Sequence, residues 1–328
     1  MRAVSHLVHG KRTLRAGAAD QVRRNKRGLI LAALLLLGIM AWSYGYTMVS
    51  LFKEWQRNDD YSVGQLVPLI AFFLLWRERR TLRECLLKPS WLWGTALLIL
   101  GQAARTFAFL FMYQSGERYS LVLTAAGLVL MVAGWQVFRS VVWILMFLFL
   151  MVPLPGRVHN LISGPLQNIA TTGSVFLLEA FGATVSQQGN VVMLNENTPM
   201  AVAEACSGLR MLTAFVIVAA FVAYMVKRPR SQKAVLLLSS IPIAVACNIL
   251  RLCATAVLFM LISAEVGQKF FHDFAGMVMM PAAALLLFAE LRLMDMLIVP
   301  EIQPQSTQRA QRKTIKANYG PAMPRAED

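Results

Sequence analysis

The stretch "EACSGLRML", residues 204–212, packs an acid, a thiol, a hydroxyl and a guanidinium into seven positions: Glu204, Cys206, Ser207 and Arg210. A helix that only crosses a membrane has no use for them. A thiolate is a strong nucleophile, and nearby cations or a helix N-terminus lower a thiol pKa from about 8.5 toward neutrality. Arg210 stands four residues after Cys206, the spacing of one helix face. Further along, Arg251 and His272 are residue types that stabilise a tetrahedral oxyanion or give a proton to a leaving group. Together they would cleave or transfer an acyl group.

Each of these residues also has a plainer reading. Cys206 serves equally as a small packing residue at a helix start, and Arg251 as a cation snorkelling to an interface. His272, followed by Asp273, fits an N-terminal cap region. Cys247 and Cys253 flank Arg251, with Cys247 on its face at i−4; both read as buried small apolar residues, and Cys247 is the second candidate nucleophile. On the residues alone, an enzyme and a passive membrane protein stand even.

The elements that must position these groups follow from composition. Of 328 residues, 57% are hydrophobic, above the 45–50% of soluble domains, and they fall into repeated uncharged runs of about twenty. Strand-type alternation is absent from those runs. The expected fold is therefore all-α: a polytopic membrane helix bundle of about eight transmembrane helices with a small extracytoplasmic segment before the Cys206 helix. The spans read as 28–51, 63–77, 91–112, 119–135, 140–153, 207–226, 234–262 and 273–298.

Charge sets the sidedness. The net charge is +15, but its residues sit between apolar runs, a pattern of topology-setting charge and not of nucleic-acid binding. Residues 1–27, 77–88, the turn at Arg139, 227–233 and the C-terminal tail are the basic connectors, placed in the cytoplasm with both termini. The segment 154–206 has no Lys and one Arg, Arg157, and falls outside. Its first half reads as an amphipathic interfacial or re-entrant helix interrupted by Gly164 and Pro165, its second half as a short hairpin or cap. Arg251 lies 17 residues into its span, about 25 Å of rise, so the charge rule brings it to the outer boundary with Cys206 and His272.

Residues 1–27 are expected to be a basic cytoplasmic tail, 28–298 the membrane domain with 154–205 as its extracytoplasmic or re-entrant part, and 299–328 a disordered cytoplasmic tail. The first apolar segment lacks a small-residue cleavage site and reads as a retained span. Four cysteines without a CxxC pair point to neither a disulfide framework nor zinc. Motifs for a metal or an organic cofactor are absent, so none is expected. Cys85 falls in a cytoplasmic connector. "VPLP" (152–155) marks a helix end, and Trp55, Tyr61 and Trp91 read as interfacial belt aromatics.

The chain resembles the exosortase/archaeosortase family of multi-pass membrane cysteine transpeptidases. The resemblance runs through "ACSGLR" (205–210), "IPIAVACNILRL" (241–252) with its Asn-x-x-Arg (Asn248 and Arg251), and a His before the last span. Upstream, "EWQRNDDYSVGQLVPLI" and the blocks from "VPLP" to "QQGNVVML" follow in the family's order, covering about residues 50–295. The resemblance implies a membrane protease or transpeptidase of the cytoplasmic membrane. Its substrates would be exported proteins ending in a Pro-Glu-Pro-like motif, a transmembrane helix and a basic cluster, sorted to the surface in connection with exopolysaccharide. It implies Cys206 as the acyl-thioester nucleophile, Arg251 as proton donor and His272 as transition-state stabiliser; Arg210, Asn248, Ser207 and Glu204, which stand in or beside the two motifs, are expected to support them. Membrane lipids and an acceptor nucleophile would be the other partners. Where the family often has Tyr-Ser-His-Gly, this chain has "YSVG" (61–64), with Val63 in place of the His. The competing expectations are a thiol-dependent membrane acyltransferase and a non-catalytic component of polysaccharide export.

Overall fold

A computed structural model describes residues 28, 31, 33–85, 87–189, 191–194, 198–201, 208–262 and 275–297, and each apolar run read from the sequence forms helix there. The order is α1 (Ala33–Ser43), α2 (Gly45–Arg57), a 3-10 helix (Asp59–Gln65), α3 (Leu66–Glu84), α4 (Trp91–Leu110), α5 (Gln114–Ala133) and α6 (Trp135–Leu148). A 3-10 turn (Phe149–Met151) leads to α7 (Gly156–Ala180), strands β1 (Val185–Gln188), β2 (Val191–Leu194) and β3 (Thr198–Ala201), then α8 (Leu209–Met225), α9 (Arg230–Leu261) and α10 (Ala275–Leu297). The tails at 1–27 and 299–328 lie outside the described residues.

The protein is a helical membrane protein. Among the described residues α5 and α9 are long and apolar enough to cross a bilayer alone; counting the bent pairs α1–α2 and α6–α7 as single spans brings the number to four. Large apolar side chains such as Leu34, Trp42, Phe72, Trp93 and Phe109 stand on the outside. Water would penalise that surface and lipid tails do not.

Several expectations are refined. The first span is not one rod: α1 and α2 meet at Tyr44 with a 59° bend. The basic connector 77–88 is largely helical, because α3 continues to Glu84. α6 and α7 meet at 79° across "VPLP", where Pro153 and Pro155 deny the chain helical continuation. The interruption expected at Gly164 and Pro165 is absent, for α7 runs unbroken through Pro165. Neighbouring groups can re-satisfy the carbonyl that a proline frees in an apolar setting. The fold is also not purely helical. The polar stretch after α7 makes an antiparallel sheet of order β1-β2-β3, in register Val185 with Leu194 and Val191 with Ala201. Its Val192 and Leu194 are buried against Ala170, Leu178, Leu252 and Ala256 of α7 and α9.

Small residues allow close helix contact. A Cβ at Gly94 would lie 2.4 Å from Met131 Cα, and one at Gly101 2.8 Å from Thr124 Oγ1, so α4 and α5 pack backbone to backbone. Tyr44 adds polar linkage, hydrogen-bonding Ser120 Oγ at 3.1 Å and Thr124 Oγ1 at 2.9 Å. The main core gathers Trp55, Tyr61, Leu74, Ile144, Phe147 and Ile217. Trp55 and Tyr61 are therefore core residues, 9% and 8% exposed, and not belt aromatics; each finds a buried polar partner described below. Trp91, 67% exposed, keeps its surface position.

The chain divides into two compact units, residues 1–286 and 287–328. In the second, the Arg292 guanidinium lies over the Phe288 ring at 5.2 Å.

Candidate active site

α8 begins at Leu209, and Gly208 ahead of it takes a left-handed conformation, φ +79°. The pairing of Cys206 with Arg210 on one helix face, expected from their spacing, reaches beyond the described residues. Cys206, Glu204, Ser207 and His272 lie outside the described residues.

Gly208 packs directly on Asn248, which is 2% exposed. A Cβ at 208 would stand 2.7 Å from Asn248 Nδ2, so glycine is required there by contact as well as by φ. Asn248 is three residues before Arg251 on α9, hence on the same side of that helix. Arg251 is half-buried and engaged with other groups. The structure thus brings the end of the cysteine motif to the Asn-x-x-Arg motif. α9 is fixed in turn by α7: Ile249 fills the space over Gly173, and the Cys253 thiol lies 3.6 Å from the Ser174 carbonyl oxygen. Cys247 packs with Met211, Phe215 and Ala244. Both cysteines are half-buried packing residues here.

Arg210 has a partner the sequence did not suggest. Its Nη1 lies 3.6 Å from Asp59 Oδ2, with the side chains 25% and 47% exposed. A pair this open contributes at most about 1 kcal/mol. Its consequence is positional and electrostatic: it ties α8 to the 3-10 helix, and Asp59 offsets part of the charge that Arg210 would offer a thiolate.

The 3-10 helix builds the rest of this end of the bundle. The Asn58 side chain caps it, accepting from Asp60 N at 3.1 Å. Gly64 leaves room for the Trp55 indole, whose Nε1 donates to the Met151 carbonyl at 3.0 Å. Tyr61 Oη lies 2.8 Å from His159 Nδ1, in the first turn of α7. His159 Nε2 faces Asp60 Oδ2 at 3.9 Å, the two side chains 19% and 7% exposed. Burial, and then the Asp60 charge, push the Tyr61 hydroxyl up to about 12, so it stays protonated.

Beside this trio opens a cavity of about 390 Å³, lined by Glu54, Asn58, Tyr61, Arg118, Leu154 and His159 among others. Arg118 Nη2 and Glu54 Oε2 are 3.5 Å apart. Among the described residues no group of three or more His, Cys, Asp and Glu could hold a metal ion.

Asp59, Asp60, His159, Glu54 and Arg118 were not singled out in the sequence. The sequence signal was weak, because ionisable residues at helix ends reach the interface at little cost.

A bundle of apolar helices with large apolar side chains on its outside defines a multi-pass membrane protein. Residues 55–289 match the transmembrane exosortase family, and the chain belongs to that family. No curated protein and no solved structure matches it.

Proposed function

We propose that this exosortase is a membrane cysteine endopeptidase or transpeptidase acting at the outer face of the cytoplasmic membrane. It cleaves exported proteins that end in a sorting signal of Pro-Glu-Pro-like motif, transmembrane helix and basic cluster. The observation that carries the reading is the seating of Gly208, two residues past Cys206, on Asn248 of the Asn-x-x-Arg motif.

The Cys206 thiolate attacks the scissile carbonyl carbon. The tetrahedral oxyanion is met by donors assigned to His272 and Arg251. Collapse breaks the C–N bond and leaves an acyl thioester on Cys206, while the departing amine takes a proton from Arg251 or from water that Arg251 orients. Water or an acceptor nucleophile then attacks the thioester and restores the thiol. Asn248 holds the segment that carries Cys206, and Arg210 anchors α8 through Asp59.

The test is cleavage of a reporter carrying the three-part signal, measured with the amount of protein in the membrane. Cys206→Ala is expected to abolish cleavage at normal abundance. Cys206→Ser should be nearly as defective, because a hydroxyl at its normal pKa is a far poorer nucleophile. Cys247→Ala and Cys253→Ala should keep most activity. Cleavage that survives Cys206→Ala overturns the reading, and a thioester trapped on Cys247 reassigns the nucleophile.

A further inference from the structure

Among the described residues Arg118 is the most deeply buried cation. Its side chain is 5% exposed, and its ion pair with Glu54 spans 3.5 Å. A charge-assisted guanidinium–carboxylate contact at full strength is about 2.7–2.9 Å. Arg118 Nε is buried with no hydrogen-bond partner among the described residues. A guanidinium has five N–H donors in a rigid fork, and burying one with so little compensation is costly. Arg118 lines the cavity of about 390 Å³, so an anion entering that cavity would meet a guanidinium that its ion pair with Glu54 leaves incompletely compensated.

The cavity also specifies which anion. Glu54, 34% exposed at the side chain, shares the lining. Its carboxylate repels a phosphate dianion more strongly than a single carboxylate, so of the two the singly charged group is the better match for Arg118. Asn58, Gln114 and Ser115 add polar side chains to the lining. Tyr113, Pro153, Leu154 and Pro155 give apolar surface for residues on either side of the charge. An apolar groove is lined by Trp55, Leu121, Val122 and Met151, close in the chain to Glu54, Arg118 and Pro153 of the cavity wall. A ligand with one carboxylate followed by an apolar segment matches this pairing.

We propose that the Arg118 cavity is the subsite that binds an acidic side chain of the peptide substrate, with the substrate's apolar helix continuing along the apolar groove. The proposal rests on the peptide-cleaving function above and adds the residue that selects the substrate. Arg118 is a specificity-determining residue, not a catalytic one.

The experiment uses the full chain in membranes and two synthetic peptides. One carries a single glutamate ahead of an apolar helix and an arginine cluster; the other has glutamine at that position. In the wild type the glutamate peptide should be cleaved at least about tenfold faster, the effect of one charge-assisted hydrogen bond. In Arg118→Gln that ratio should fall close to one, with Arg118→Lys between. An unchanged ratio in folded Arg118→Gln overturns the proposal. A second arm does not depend on Arg118 variants folding or on cleavage. A photocrosslinker at Gln114, on the cavity rim, is placed in Cys206→Ala protein. It should capture the glutamate peptide at about tenfold lower concentration than the glutamine peptide. Equal capture of both, or crosslinks to phospholipid alone, overturns the proposal. Selective capture with no cleavage by the wild type would instead sink the peptidase reading and leave the subsite standing.

Discussion

Gly208 and Asn248 fit together so closely that a single methyl group has no place between them: the added Cβ would stand 2.7 Å from Nδ2. Gly208→Ala is therefore expected to suffer twice. The left-handed φ of +79° costs a non-glycine residue roughly 1–2 kcal/mol, and the overlap pushes the segment carrying Cys206 off α9. Asn tolerates the left-handed region better, so Gly208→Asn isolates the overlap. Asn248→Ala removes the obstructing amide, and the double variant Gly208→Ala/Asn248→Ala should be less damaged than the two single effects added. Thermal unfolding in detergent and cleavage per molecule measure it; strict additivity would mean that the two residues do not meet.

The Tyr61–His159 contact makes an alkaline-pH prediction. The folded protein holds the Tyr61 hydroxyl near 12, against about 10 in an unfolded chain. Below pH 10 both states keep the proton, and the contribution to stability is whole. Between about 10 and 12 only the unfolded state gives it up, so stability falls as pH rises. Tyr61→Phe should be less stable than the wild type at neutral pH by about 0.5–1.5 kcal/mol, the net value of one hydrogen bond. It should also lose less between pH 10 and 12. Parallel unfolding curves for the two proteins across that range would show that Tyr61 does not carry the effect.

The positions of the helices were legible because each is encoded locally: an apolar run of the right length becomes a helix wherever it packs. What lay beyond the sequence depends on distant partners. Trp55 looked like a belt aromatic because its hydrogen-bond acceptor, the Met151 carbonyl, is 96 residues away. Tyr61 was misjudged for the same reason, its partner His159 being 98 residues away. The polar segment after α7 was rightly set apart from the membrane spans, but its third strand has no alternation strong enough to announce a sheet. Of the candidate site, Asn248, Arg251 and Arg210 lie within the described residues and sit where the two motifs approach. Asp59, Asp60 and Arg118 become visible only when the helix ends are assembled.

Sidedness yields a direct test. The basic loop 227–233 should be cytoplasmic and the stretch 183–206 outside, because Lys and Arg are retained on the inner face. In a background without native cysteines, Asn190→Cys should react with a membrane-impermeant maleimide in intact cells, and Arg230→Cys only after lysis. The reverse pattern would place the cysteine motif in the wrong compartment for exported substrates and remove the outer-face site.

Arg251 separates chemistry from simple anchoring. If its planar fork donates to the reacting group, Arg251→Lys should be severely impaired, because a point-charge ammonium reproduces neither the geometry nor the number of donors. If the residue only reaches the interface, lysine should serve as well. His272→Ala removes a donor assigned to the oxyanion, a loss of about 10²–10³ in rate, and should leave a slow but measurable enzyme. A packing role for either residue would instead lower the amount of folded protein and leave turnover per molecule intact. Membrane abundance and cleavage rate must therefore be measured together. Wild-type turnover per molecule in both Arg251→Lys and His272→Ala would reduce the proposed trio to the Cys206 thiol alone.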